Sequence, residues 1–167
     1  MQYNSKIIEP KLITIQSITD DRGILIPFSD DIDHELFKRC YIVENYGKHV
    51  IRGLHYHKEE MKIFTIVSGA AKFITMKLPL EIAERNNEVE ISEFLKSNPQ
   101  SVKSWIMSSR HHAVLIVPVL FANGWVSLED HTILVSLGSL RFEKAKDDDI
   151  RINPYIIGKE KWEVIGR

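Results

Sequence analysis

Cysteine is nearly absent: Cys40 is the single one in 167 residues. An intrachain disulfide is thereby excluded, and a reducing, cytoplasmic setting is expected. An excess of one charge is lacking too. With 22 Lys and Arg against 23 Asp and Glu, no global basic field points to nucleic acid. Long apolar runs are missing: the longest, Ala113 to Ala122, contains Pro118 and falls far short of a membrane span. The opening Met-Gln-Tyr-Asn-Ser-Lys has no apolar core of a secretory signal. No repeats, Gly-rich phosphate loop or Ser-His-Asp set are found, and Cys40 has no His beside it in sequence. What remains is a soluble protein with neither membrane nor nucleic-acid partner. Its length suits one domain with a full core, expected over residues 1–167.

Short alternating segments dominate. Strands are expected at Leu12 to Ile18, Gly23 to Phe28, Arg39 to Asn45, Lys62 to Val67 and Ala70 to Leu78. Further strands follow at Val102 to Met107, Ala113 to Val117, Trp125 to Leu128 and Thr132 to Leu140. Asp30 to Phe37 suits about two helical turns. Leu80 to Asn87 reads as a short helix or a loop, and Glu88 to Leu95 mixes helix and strand signals. Pro118 to Trp125 reads as a loop, and Asp147-Asp148-Asp149 as a polar turn. About ten short strands with turns between them predict an all-β fold, best met by a jelly roll enclosing a cavity, with few short helices.

The densest chemistry lies between Val50 and Gly69, where Arg52, His55, His57 and Lys62 stand inside a β-prone segment. Residues two apart in a strand share a face, so His55 and His57 are expected to point together. Charges are rarely buried unpaired, so basic groups converging on a sheet face suggest a receptor for something anionic. His-x-His is also a metal spacing when a carboxylate and a third His follow. Here Lys62 occupies the carboxylate's expected place and Asn123 the histidine's, and an ammonium repels a cation. No metal and no cofactor are expected, although Glu59 and Glu60 lie close by. Without a metal, His55 is a base of suitable pKa, Lys62 stabilises a developing oxyanion, and Arg52 offers a fork for phosphate. These groups suit removal of a proton next to a carbonyl on a phosphate-bearing substrate. Trp105, Trp125 and Trp162 read as packing residues, His111-His112 as a solvated turn, and Tyr41 and Tyr46 as reserve acids that a strand more often uses for packing.

Arg52-Gly53-Leu54-His55-Tyr56, the spaced Lys62, and Val117-Pro118-x-x-Phe121-Ala122-x-Gly124-Trp125-Val126-x-Leu128 resemble the dTDP-4-dehydrorhamnose 3,5-epimerase family. Asp21-Arg22-Gly23 is similar to its N-terminal pattern, and the resemblance runs from about Asp20 to Leu140. It implies a dimeric, cupin-type jelly roll (a double-stranded β-helix) that acts on a nucleotide-linked 4-keto-6-deoxy sugar in deoxysugar biosynthesis. By position it implies His55 as base, Lys62 as enolate-stabilising cation, and Arg52 and Arg22 on the diphosphate, with Arg22 reaching a partner subunit. The chain departs from that pattern at Ser136, where the family carries its acidic tyrosine, and at Asn123, where it carries a histidine. The family's supporting C-terminal carboxylate is matched by no single residue; Asp147, Asp148 and Asp149 are the candidates. Lys38-Arg39-x-Tyr41 followed by Arg52-Gly53-x-His55-x-His57-Lys58 also resembles the dTDP-4-keto-6-deoxyglucose 3,4-ketoisomerases, in which both histidines face the sugar. His55, His57 and Lys62 are thus the catalytic candidates, and Arg52, Arg22, Asn123, Ser136 and Tyr41 the substrate-binding ones. A cupin that binds nucleotide sugar without catalysis is the reading from a different class. Residues 79–100 fit neither family pattern.

Overall fold

A computed structural model describes residues 8–30 and 32–164. The opening hexapeptide and Asp31, part of the expected helix, lie outside the described residues. Two five-stranded antiparallel sheets face each other. Sheet one has the order β1 (Lys11–Thr14), β9 (Ala113–Val117), β6 (Lys62–Ser68), β11 (Thr132–Gly138) and β4 (Arg39–Asn45). Sheet two has the order β12 (Ile150–Arg151), β5 (Ile51–Tyr56), β10 (Phe121–Ser127), β7 (Ala70–Lys77) and β8 (Val102–Ser108). A separate hairpin joins β2 (Ile18–Asp20) to β3 (Gly23–Leu25). Three short helices complete the described chain: α1 (Leu80–Arg85), α2 (Glu88–Ser97) and α3 (Phe142–Ala145). This is the mostly-β jelly roll that the strand pattern predicts, of the cupin type that the resemblance implies. No helix among the described residues is long and apolar enough to cross a membrane.

Three apolar layers hold the sheets. Phe64, Phe73, Trp125 and Leu134 meet between them, and Phe73 stacks on Trp125 with centroids 6.1 Å apart. Outside sheet one, Ile63, Val114, Ile116 and Leu137 are covered by Ile32, Phe28 and Phe37. Outside sheet two, Leu54, Tyr56, Ile74 and Met76 are covered by Ala83, Ile91, Leu95 and Trp162. Because both faces are covered, β9 and β10 are buried along their whole length instead of alternating. Residues 79–100, unassigned in sequence, are this outer cover. The Asn87 side chain caps α2 by accepting from Val89 N–H at 2.9 Å, and Ile91 and Leu95 then fall on one face. Tyr56 fastens the cover by donating its hydroxyl to the Ala83 carbonyl at 2.6 Å.

Several sequence expectations are corrected. Leu12 to Ile18 is not one strand: β1 stops at Thr14 because its partner β9 begins at Ala113, the last register pair. The expected strand to Phe28 ends at Leu25, where the hairpin register ends two residues before Pro27, which has no N–H to donate. Among the described residues between 30 and 37, the only helical turn is a 3-10 turn at His34–Leu36. So short a segment nucleates a helix poorly, and its Ile32 and Phe37 gain more by packing on sheet one. Phe121 to Gly124 is strand, not loop, because β5 and β7 both pair with it. Gly124 lies against Gly53 where β5 and β10 approach closely. A Cβ on Gly53 would come within 2.7 Å of Gly124 Cα and 2.8 Å of the Asn123 carbonyl oxygen, at a φ of +104°. The same close approach sets the next residues, His55 and Asn123, opposite each other. Gly53→Ala is therefore expected to lower unfolding free energy by roughly 1–3 kcal/mol, measured by urea denaturation. An unchanged midpoint would mean that the contact yields freely.

Candidate active site

Between the sheets opens a cavity of about 970 Å³. Alternation along β5 sends Leu54 and Tyr56 outward to the α1–α2 cover and leaves Gly53, His55 and, just past the strand end, His57 on the cavity side. Sheet two thus supplies Arg52, His55, Asn123 and Trp125, and sheet one supplies Tyr41, Lys62 and Phe64. The C-terminal segment, in which only the aspartates at 147–149 are candidates from sequence, adds Phe142, Lys146, Asp149 and Arg151. Among the sequence candidates, His55, His57, Lys62, Arg52, Asn123 and Tyr41 are brought to one cavity. Two are not. Arg22 sits at the β2–β3 tip with its side chain 85% exposed, paired with Asp20. Ser136 is buried, does not line the cavity, and its hydroxyl has no partner.

The register explains Ser136. It stands in β11 directly between Tyr41 on β4 and Phe64 on β6. Its side chain is fully buried, and its two row neighbours Tyr41 and Phe64 line the cavity in its stead. Lys62 donates to the Tyr41 hydroxyl at 3.2 Å and to Glu60 at 2.7 Å. Glu60, fully buried, also accepts from Arg39 at 3.2 Å through both oxygens, and the Arg39 guanidinium lies over the Tyr41 ring at 4.9 Å. Glu60 was seen in sequence only as a spare metal carboxylate. Here it neutralises part of the charge of two cations and leaves the ammonium a third donor.

Arg52 is fixed at the rim by donating Nε–H to the Asn45 side-chain oxygen at 2.6 Å and Nη2–H to the Glu44 carbonyl at 3.2 Å. Asn123 turns its amide onto the His55 and Phe121 carbonyls at 3.3 Å, which makes it a brace for β5. Asp148 is a clasp. Its carboxylate accepts from Lys58 N–H at 2.8 Å, Glu59 N–H at 3.0 Å and Glu60 N–H at 2.8 Å. That clasp sets Asp149 beside the histidines, while β12 pairs Arg151 with His55. In sequence the three aspartates read as a polar turn and, by the resemblance, as undivided candidates for the carboxylate that supports the base.

The His55 and His57 rings meet edge to face, with centroids 5.3 Å apart and planes at 82°. Burial drives the His55 pKa below its ordinary value; Asp149 opposes that shift, and Lys62 and Arg151 add to it. Burial, then Lys62 and His55, push His57 down to about 4, against the pull of Asp148 and Asp149. Both imidazoles are therefore neutral at pH 7. Each ring nitrogen of His57 lacks a hydrogen-bond partner, and Nδ1 faces Asp148 at 3.7 Å and Glu60 at 3.8 Å. A histidine held neutral in the fold but free to protonate when unfolded stabilises the protein fully above about pH 6.5. That contribution is lost as pH falls to about 4. At about 1.4 kcal/mol per unit, the loss is roughly 3 kcal/mol. His57→Gln is expected to flatten the stability–pH curve across this window by a comparable amount, read by urea titration at a series of pH values. Parallel curves for wild type and variant would contradict it.

The structure resembles an epimerase from Mycobacterium tuberculosis, with a TM-score of 0.70 at 16% identity, covering 97% of this chain and 76% of that one. It also resembles a dTDP-4-dehydrorhamnose 3,5-epimerase from Bacillus anthracis solved with TDP and PPi bound. That match has a TM-score of 0.66 at 20% identity, covering 91% and 83% of the two chains. A sugar 3,4-ketoisomerase from Thermoanaerobacterium thermosaccharolyticum in complex with TDP matches with a TM-score of 0.62 at 20% identity, covering 93% and 97%. At these identities the likeness speaks for the fold. No curated protein sequence matches the chain. The family model described as FdtA: WxcM-like, C-terminal matches residues 8–92, half of the chain and the half that carries Arg52, His55, His57 and Lys62. The chain belongs to the WxcM-like, C-terminal (FdtA) family.

Proposed function

We propose that the protein isomerises a nucleotide-diphosphate-linked 4-keto-6-deoxy sugar by moving a ring proton next to the ketone. One observation carries this reading: two neutral histidines share a cavity with a lysine whose ammonium is only partly neutralised. The neighbours solved with TDP, and the two sequence resemblances, support a nucleotide sugar as the ligand.

His55 removes the proton from the carbon beside the carbonyl, taking the C–H pair's proton onto its ring nitrogen. The electron pair moves to the carbonyl oxygen, where the Lys62 ammonium stabilises the enolate. Arg52 at the rim and Arg151 beyond His55 offer charge to the diphosphate. No step calls on a metal. Because His55 and His57 lie on the same wall, return of a proton to the neighbouring carbon from the same face is the favoured outcome. His57 then carries the hydroxyl proton from one oxygen to the other, and the ketone has moved by one carbon. This is 3,4-ketoisomerisation, and the paired histidines favour it. Epimerisation is the second reading, favoured by Tyr41. Its hydroxyl lies on sheet one, facing the histidines of sheet two, and could return the proton to the opposite face of the ring. In either case the site belongs to an isomerase, and a two-fold dimer joined partly through the exposed Ile18, Ile24 and Leu25 of the hairpin would suit the distant Arg22.

The test is an NMR time course with dTDP-4-keto-6-deoxyglucose in deuterated buffer. Deuterium is expected to enter the ring in wild type and not in His55→Ala. Lys62→Ala is expected to slow entry by on the order of a hundredfold, as for loss of an oxyanion donor. A product with the carbonyl at C3 identifies the ketoisomerase, and inverted ring carbons with the carbonyl at C4 identify the epimerase. Full exchange in His55→Ala would remove it as the base. Nucleotide binding without exchange in wild type would leave a non-catalytic binding module.

A further inference from the structure

We propose that His55, His57 and Asp149 form a binding site for a divalent transition-metal ion of Zn2+ type, and that the ion, when bound, takes His55 out of service as the base. The sequence argued against any metal because Lys62 stands where a carboxylate is wanted. The fold changes both halves of that argument. The carboxylate arrives from elsewhere: Asp149, at the start of the C-terminal segment, brings an oxygen to within 4.8 Å of a ring nitrogen of each histidine, and those nitrogens are equally close to each other. The lysine is engaged, with its ammonium 2.7 Å from the buried Glu60 and 3.2 Å from the Tyr41 hydroxyl.

A second observation points to a ligand independently of that cluster. His57, with only 4% of its side chain exposed, leaves both ring nitrogens without a hydrogen-bond partner. Buried imidazoles are normally satisfied, so an unused pair in a cavity asks for something to bind. Its Nδ1 faces the carboxylates of Asp148 and Glu60 at 3.7 and 3.8 Å. Such outer carboxylates orient metal-bound histidines through the far nitrogen, which leaves Nε2 to coordinate. Burial keeps both rings in the neutral form that binds a metal. Two nitrogens and one oxygen suit Zn2+, Co2+ or Ni2+ better than Mg2+ or Ca2+, and the open side of the trio faces the cavity, where water completes the shell. Lys62 and Arg151 repel the ion; Asp149, Asp148 and Glu60 attract it. Coordinating the ring nitrogen of His55 occupies the lone pair that would accept the substrate's proton.

The inhibitory half of this inference rests on His55 being the base, but the binding half does not, and the experiment separates them. The full-length protein, stripped with EDTA, is titrated with Zn2+ by calorimetry and with Co2+ by visible absorption. One ion per chain is expected, with the absorption bands of a nitrogen-ligated, low-coordinate Co2+. Asp149→Asn and His57→Gln are each expected to weaken binding by about tenfold or more, since even outer partners of a ligand are worth about that much. Circular dichroism and thermal melts of the metal-free variants show whether they fold. If a variant does not fold, competition decides the matter: a nucleotide diphosphate that fills the cavity is expected to weaken Co2+ binding to wild type. No binding to wild type, or binding unaltered both in folded variants and by the competitor, would overturn the site and leave the isomerase reading untouched. Zn2+ is further expected to stop ring deuteration and EDTA to restore it. Undiminished deuteration at saturating Zn2+ would overturn the inhibition, whereas a protein that deuterates no substrate but still passes the titration retains the site and loses the isomerase reading.

Discussion

The cavity depends on one buried carboxylate. Glu60, with no exposed side-chain surface, holds Arg39 and Lys62 on the floor of sheet one. An ammonium and a guanidinium could not share that floor without it, since charges taken out of water are tolerated only when paired and hydrogen-bonded. The backbone is shaped to receive it. Gly138 in β11 has no Cβ, and a Cβ there would strike Glu60 Oε1. The preceding loop is clasped by Asp148 through three consecutive N–H groups. Residues 39, 60, 62, 138 and 148 thus form one construction, although they are scattered over two thirds of the chain.

That construction sets the electrostatics of the opposite wall. Asp149 raises the pKa of both histidines and Asp148 that of His57, yet burial and the Lys62 charge carry both below the ordinary 6.5. Burial wins because the rings stand in a cavity walled by Trp125, Phe64 and the sheets, where few waters solvate an imidazolium. If the carboxylates won instead, His55 would be protonated at neutral pH and could accept nothing. The balance also keeps Lys62 useful. Glu60 and Tyr41 take two of its donors, which fixes the ammonium in place without exhausting it. A fixed donor stabilises a developing charge with little reorganisation, which is where such groups gain most of their effect.

The sequence made much of this legible. The strands from Arg39 to Lys77, and the shared face of His55 and His57, follow from alternation and from the Arg-Gly-x-His-x-His spacing. What stayed hidden depends on contacts between distant segments. Phe121 to Gly124 reads as a loop until β5 and β7 pair with it from both sides. Asp148 and Asp149 read as turn residues and, by the resemblance, as candidates for a supporting carboxylate, but nothing local shows that Asp148 accepts from the N–H groups of residues 58–60 or that Asp149 stands beside the histidines. α2 is undecided by propensity and becomes a helix because Asn87 caps it and Ile91 and Leu95 find an apolar sheet face to cover. The resemblance sends Arg22 towards a partner subunit, and the hairpin that carries it stands outside this chain's cavity.

Ser136 shows why position alone misassigns a role. It aligns with an acid in the resembling epimerases, and its buried, unpartnered hydroxyl cannot reach the cavity. Tyr41, its direct partner across the ladder, does line the cavity, and its ring is held by Arg39 and its hydroxyl by Lys62. Cross-strand neighbours on one face form a row, and in this row the flanking Tyr41 and Phe64, not the Ser136 between them, line the cavity. A phenol at the edge strand β4 thus stands on the same wall as Ser136, one strand away.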